Sequence, residues 1–395
     1  MNDRSLDARL DAQADRAVGG AQIALGFAVA SFGPYLVVLA DELDRPRAEL
    51  VWVTSTFGVG LLLAALLGPA VLRAGSGTVL RVSCSAMAAG TAAMAASPAL
   101  PVAGTGSALV GLGCAAITLV TPAILRGPGA PRRLTRAVAF ASTAGISAPL
   151  AFGVLESAGL PGRLALLAPV PVLLAVAAAP TVATGEHRAR SRAPVPLGPA
   201  AIGWLRIVLA VACEFCFVVW AVARLVDTGL SPGAASMLST GFAIGMAAGR
   251  LAGPRIAERP RAVAAAAATA MSGTTAVFAG GDPATVTVGI TVSSLGISLL
   301  YPITLAQLVG VPNLDSRLSA SIGSLASGTA ILAAPALLGW VDTAIGLRTA
   351  FLLPIPLLVA LLALVPRSGD AEGPAERGPA GPSEGSGAPA DRIGR

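Results

Sequence analysis

The chain lacks lysine, has a single histidine (His187) and two tyrosines, and is only 12% charged. A soluble domain carries about 25% charged residues. So few charges exclude a surface facing water on all sides. Without lysine there is no Gly-x4-Gly-Lys-[Ser/Thr] loop for ATP phosphates. The four cysteines, Cys84, Cys114, Cys213 and Cys216, all lie inside apolar runs. Cys213-x-x-Cys216 has no βαβ surroundings and no nearby histidine, so it reads as two small buried hydrophobes. Neither a metal nor a cofactor is expected. The first sixteen residues are polar, and the apolar run behind them is of full spanning length, unlike a cleaved signal peptide.

What the chain does have is apolar length. It is 54% hydrophobic over 395 residues, with mean hydropathy +0.76. A bilayer-spanning helix needs about 20 apolar residues. Runs of that kind cover Val18–Ala40, Leu50–Leu72, Thr78–Ala96, Pro101–Leu125, Ala137–Leu155 and Arg163–Ala183. Six more cover Ala200–Ala223, Ala234–Leu251, Ala262–Ala279, Ala284–Val309, Leu318–Val341 and Thr349–Val365. This predicts an all-α membrane protein of twelve transmembrane helices in two pseudo-symmetric six-helix bundles. The halves are 18–183 and 200–366, joined by a polar linker at 184–199. Residues 1–17 form a cytoplasmic N-terminal segment. Residues 367–395, rich in Gly, Pro and Ser, read as a disordered cytoplasmic tail.

The net charge of +6 comes from arginine. Arginines flank the apolar runs and form no basic stripe, which argues against a nucleic-acid partner. With the N-terminus inside, the inner loops hold Arg73, Arg126, Arg132, Arg133, Arg136, Arg188 and Arg250 among others. The outer ones hold only Arg45, Arg47, Arg163, Arg224 and Arg348. That asymmetry predicts a cytoplasmic, inner (plasma) membrane location with both termini inside.

Two segments repeat. Ala148-Pro149-x3-Gly153-x2-Glu156 in the fifth run returns as Ala334-Pro335-x3-Gly339-x2-Asp342 in the eleventh, 186 residues on. Each acid is followed by Gly-Leu and an arginine, Arg163 or Arg348. Gly60, Ala64 and Gly68 in the second run are echoed by Gly241, Gly245, Gly249 and Gly253 in the eighth. Small residues four apart let helices approach closely. Repeats in the same order and orientation imply two halves about an axis normal to the membrane, with a cavity between them. Pro34, Pro149, Pro302 and Pro335 are expected to kink their helices, and Gly153 and Gly339 to pack them.

From Val18 to Pro366 the chain resembles the major facilitator superfamily. Its loop after the second span, Gly-x-Leu-Ala-Asp-Arg-x-Gly-Arg-Lys, is matched by Gly68, Arg73 and Gly75. Leu72, Ser76 and Gly77 replace the Asp, the second Arg and the Lys. Gly111-Leu-Gly113-Cys-Ala115 is similar to that family's fourth-span glycine stretch, with Ser107 where an arginine is usual. Ala148-Pro149 is similar to its Gly-Pro antiporter motif. Glu214-Phe215 with Trp220, and Leu300-Tyr301-Pro302, resemble a bacterial permease-like subgroup. The resemblance implies secondary transport by alternating access, not enzymatic catalysis.

Glu214, mid-run in the seventh segment, is the main chemical candidate. A carboxylate at the bilayer centre costs about 2.5–3.5 kcal/mol, so it should face a cavity or be protonated. It reads as a proton or substrate site, against the plainer reading of a hydrogen-bonded structural acid. Tyr301, Trp220 and Tyr35 are candidate cavity residues, or packing and interfacial aromatics. Gly68, Arg73, Gly75 and Arg250 form a candidate cytoplasmic gate. Glu156, Arg163, Asp342 and Arg348 form an extracellular one, against solvated loop charges. The leading expectation is proton-coupled export of a hydrophobic or weakly cationic small molecule by a monomer in the lipid bilayer. Proton-coupled uptake of a sugar or organic acid is the alternative. A transporter-like sensor or scaffold is the reading from another class.

Overall fold

The computed structural model describes residues 3–73, 75–125, 129–179, 196–256, 259, 261–314 and 316–365. The side chains of residues 3–10, 68–73, 131, 254, 316 and 317 are not among those described. Most of the 184–199 linker and all of the 367–395 tail therefore lie outside the described residues.

Described elements are helices, and no strand occurs among them. They are α1 (Asp3–Ala30), α2 (Phe32–Leu43), α3 (Arg47–Arg73), α4 (Ser76–Ala96), α5 (Leu100–Ile124) and α6 (Ala130–Ser157). A 3-10 turn (Gly162–Leu167) leads into α7 (Val170–Ala178). Then come α8 (Leu197–Val226), α9 (Pro232–Ile256), α10 (Ala262–Ala279), α11 (Pro283–Val309) and α12 (Ser316–Ile345). The short α13 (Leu347–Ala350) and α14 (Pro354–Leu364) close the chain.

Among the described residues, nine helical stretches are long and apolar enough to cross a membrane, and the bent pair α1–α2 makes ten. Gly162–Ala178 is apolar but shorter. The 25-residue α9 carries Arg250 and Arg255 and is not among the ten. The chain is a multi-pass membrane protein. Helices suit the bilayer because they satisfy every backbone group internally. Leu66, Leu197, Leu251 and Trp340, each at least 70% exposed, make a surface suited to lipid.

The first span bends where Pro34 was expected to kink it, and it reaches further back than expected. It bends by 47° between α1 and α2. Pro34 has no N–H to give the Ala30 carbonyl and its ring crowds that carbonyl, while the Ser31 hydroxyl donates to the Phe27 carbonyl at 2.8 Å. Its helix also extends back into the polar segment, where Asp11 and Asp15 pair with Arg133 at 2.8 and 2.6 Å. By contrast α6, α11 and α12 continue unbroken through Pro149, Pro302 and Pro335.

Contacts recur at a fixed displacement. A Cβ on Gly90 (α4) would lie 2.5 Å from the Gly106 carbonyl oxygen (α5), and one on Gly273 (α10) 2.6 Å from that of Gly289 (α11). Both residues of the pair move by 183 positions. Arg163 donates to the Ala95 carbonyl at the end of α4. Arg348 donates to the Phe278 and Ala279 carbonyls at the end of α10. In each case a guanidinium meets the negative end of a helix dipole.

Helices α1–α7 pack chiefly on one another, as do α8–α14. The two groups meet where α3 packs on α12, α6 on α9 and α2 on α8. Glycine pairs allow the first two crossings. A Cβ on Gly58 would lie 2.7 Å from the Gly328 carbonyl oxygen, and one on Gly153 2.7 Å from that of Gly233.

Candidate functional site

We call the end of the bundle that carries the start of α1 proximal, and the opposite end distal. Between the two helix groups lies a cavity of about 290 Å³, at the small end of the range for ligand pockets. Each lining helix contributes one face. From α8 come Val211, Glu214, Phe215, Phe217, Val218, Ala221 and Val222. From α9 come Ser239, Phe242, Ala243, Met246 and Arg250. Phe217 aside, both sets keep the i, i+3, i+4, i+7 spacing of one helical stripe. Gly26 of α1 abuts Ala141 of α6 directly, closing the wall opposite.

Two charges meet inside. Glu214 Oε1 lies 3.7 Å from an Arg250 terminal nitrogen, with side chains 15% and 32% exposed. The other Arg250 terminal nitrogen donates to the Ser142 hydroxyl of α6 at 3.1 Å. Arg250 therefore links both helix groups. Among the described lining residues Glu214 is the sole carboxylate and Arg250 the sole guanidinium. Tyr301 of α11 lines the same space, close to the Ser327 side chain of α12. Apart from the hydroxyls of Thr118, Ser239 and Ser324, the remaining wall is apolar, with Phe57 stacked on Phe215 at 6.1 Å and Phe217 on Phe242 at 6.1 Å.

Arg250 was expected at a cytoplasmic gate, bonding helix carbonyls. The structure instead puts it inside the cavity. Its phase on α9 explains this: it falls eleven residues after Ser239, on the stripe that faces inward. The side chains of Gly68 and Arg73 lie outside the described residues. Gly75 takes φ +82 ahead of α4, with nothing within 4 Å of a Cβ. That conformation suits glycine.

Two candidate cavity aromatics lie elsewhere. Trp220 is fully buried and donates its indole N–H to the Pro335 carbonyl at 3.0 Å. It locks α8 to α12 beside Gly339, and neither lines the cavity nor sits at an interface. Tyr35 is also fully buried, off the cavity lining, and its hydroxyl has no partner among the described residues.

The distal acids and arginines pair differently from the expected latch. Glu156 accepts the Gly162 N–H at 2.6 Å, while Arg163 pairs with Glu42 at 2.6 Å. Arg348 is committed to α10, and lies 5.9 Å from the centre of the Phe278 ring. Each arginine is drawn to helix-end carbonyls before it can reach the acid near it in sequence. The distal ion pair joining the two helix groups is one the sequence did not suggest, Arg47 with Asp227 at 3.0 Å. Asp342 lies within the field of both. Beneath this pair Gly33 of α2 lies so near α8 that a Cβ would be 2.5 Å from the Val218 carbonyl oxygen. The distal mouth is thus closed by direct contact between the groups.

All four cysteines are free and buried. Among the described residues no cluster of His, Cys, Asp and Glu could hold a metal.

No protein-family model matches the sequence, and no curated protein matches it. Solved structures do match by fold. A crystal structure of a variant of the nucleoside transporter NupG superposes with TM-score 0.71 at 15% identity, covering 90% of this chain and 99% of that one. The E. coli fucose:proton symporter FucP matches with TM-score 0.58 at 18% identity, covering 90% and 97%. FucP in the outward conformation, described as a major facilitator superfamily transporter, gives 0.60 at 18% identity over 90% and 97%. The chain has the fold of major facilitator superfamily transporters.

Proposed function

We propose that the chain is a secondary transporter that moves a small molecule across a bacterial inner membrane by alternating access, with a proton carried on Glu214. The observation that supports this best is the Glu214–Arg250 pair, enclosed between the two helix groups in a transporter fold. Counting Gly162–Ala178 and α9 as crossings gives twelve spans in two halves, 18–183 and 200–366. The arginine asymmetry then puts the proximal end and both termini in the cytoplasm. The protein works as a monomer surrounded by lipid.

In the form described, the distal, extracellular side is sealed by Arg47–Asp227 and by Gly33 against α8. Glu214, partly exposed, exchanges its proton with the cytoplasm. Protonation removes the attraction between Glu214 and Arg250, and rocking of the halves breaks the distal contacts while new ones form near Arg73 and Gly75. The glycine crossings Gly58–Gly328 and Gly153–Gly233 let the rods slide at close range.

For direction, proton-coupled uptake is the first reading, since similar folds carry the titles nucleoside transporter and fucose:proton symporter. Export of a hydrophobic compound is the second, favoured by the apolar lining. A cationic cargo is disfavoured by the guanidinium. Proteoliposomes under an imposed pH gradient test both. Accumulation with the proton gradient supports uptake, accumulation against it supports export, and flux indifferent to pH would refute proton coupling.

A further inference from the structure

Among the described lining hydroxyls, Ser324 faces the cavity without a hydrogen-bond partner, while three others already have their donors committed to the backbone. Ser142 donates to the Val138 carbonyl, Ser239 to that of Ser236, and Thr118 to that of Cys114. Tyr301 and Ser327 lie side by side on the lining. A sugar or other polyol would find few uncommitted uncharged donors on this wall beyond Ser324. Arg250 is different. A guanidinium has five N–H donors, and here the bonds into the cavity are one to Ser142 and a contact of 3.7 Å with Glu214. A charge-assisted bond is normally about 2.7–2.9 Å, so the ion pair is loose and the donor fork is left open to the cavity.

Charge accounting narrows the ligand further. With Glu214 ionised the cavity is neutral. Adding a monoanion alone would leave one uncompensated negative charge in an apolar enclosure, which is costly. Adding a monoanion with a proton on Glu214 restores neutrality, with Arg250 passing from one carboxylate to another. A dianion leaves net charge, and a cation must face Arg250. The other titratable groups on the lining are Tyr301 of α11 and Cys114 of α5. The lining residues from α1, α2, α3, α6 and α12 carry none.

We propose that this site takes a small monocarboxylate with an apolar body. Its carboxylate binds the Arg250 fork in place of Glu214, and its hydrocarbon lies against Phe57, Phe215 and Phe242. One proton on Glu214 accompanies each anion. The assignment rests on the transporter reading of the same cavity, and it names the cargo.

The test is equilibrium binding to the full-length protein in nanodiscs. The probes are acetate, benzoate and phenylacetate, each with its matching amide and amine. At pH 5.5 an aromatic acid should bind at least about tenfold more tightly than its amide or amine, and more weakly at pH 8. Arg250→Gln should remove the preference for acid over amide, while Arg250→Lys keeps part of it. Glu214→Gln should bind the acid equally at both pH values. A folded Arg250→Gln protein that kept the preference would overturn the proposal. So would an amine or amide binding best, or no acid binding at all. Counterflow of whichever probe binds, corrected for protein-free liposomes, tests transport separately. Counterflow of an amide or amine defeats the anion assignment and leaves the transporter reading standing. Binding without counterflow defeats the transporter reading itself.

Discussion

Gly33→Ala should open the distal mouth. A methyl carbon at that position would sit 2.5 Å from the Val218 carbonyl oxygen and 3.4 Å from that of Val219. Both obstacles are backbone of α8, which cannot swing aside as a side chain can. Ordinary contact begins near 3.4 Å, so α2 and α8 must part by roughly 1 Å. Overpacking of this kind costs about 1–3 kcal/mol. Because the contact joins the two helix groups, the cost falls on the distally closed state, and a state with that mouth open escapes it. The closed-to-open ratio should fall by about 5- to 150-fold. Spin labels at Arg45→Cys and Ser231→Cys, both exposed distal positions, would report the separation by pulsed EPR, and the four native cysteines are buried and should not compete. Two controls fix the interpretation. Gly111→Ala drives a methyl into the Phe57 carbonyl within one helix group, and should lower thermal stability without lengthening the distal distance. Gly198→Ala meets nothing within 4 Å and should change neither. If Gly33→Ala leaves the distance distribution as in the parent, or alters it no more than Gly111→Ala does, the closed-mouth argument is wrong.

Three further outcomes follow from the same geometry. Arg47→Ala removes a partly exposed ion pair with Asp227 and should cost only about 0–1 kcal/mol; its distal distance distribution should broaden at low salt and match the parent at high salt. Trp220→Phe removes the indole bond to the Pro335 carbonyl, which keeps its bond within α12, and should destabilise the protein by about 0.5–1.5 kcal/mol, read as a lower thermal midpoint, with ligand affinity unchanged because the indole lies off the cavity. Asp282, outside the spans, caps α11 by accepting the Thr285 N–H at 2.9 Å, and that bonding holds its carboxyl below the ordinary range. A group depressed on folding stabilises above its unfolded pKa and loses that contribution as pH falls through the folded one. Asp282→Ala should therefore be less stable than the parent at neutral pH, with the difference vanishing on strong acidification.

Most of the span pattern was legible because an apolar run of twenty residues has few other uses. α10 (Ala262–Ala279) matches its run at both ends, and α4 and α5 match theirs within two residues. Of the expected span Arg163–Ala183, the described part through Ala179 is a 3-10 turn followed by α7, with Pro169 and Pro171 at the break in helical bonding. The polar start of α1 escaped notice since hydropathy cannot register a helix held by ion pairs to Arg133. Glu214 stood out as a lone acid in an apolar run. Its partner did not, because Arg250 lies near the end of its run and topology alone accounted for it. The signal available was phase: Ser239, Met246 and Arg250 recur at seven and eleven residues, one stripe of α9. Arg47–Asp227 had no local signal, since it joins residues 180 positions apart that only tertiary packing brings together.

The central claim is that the Glu214 carboxyl carries the proton that drives net movement. The direct measurement compares parent and Glu214→Gln in proteoliposomes with the same bound compound, once under an imposed pH gradient and once as exchange at equal pH. Gradient-driven accumulation should fall to the protein-free level in Glu214→Gln while exchange persists. Undiminished gradient-driven accumulation in that variant would contradict the account.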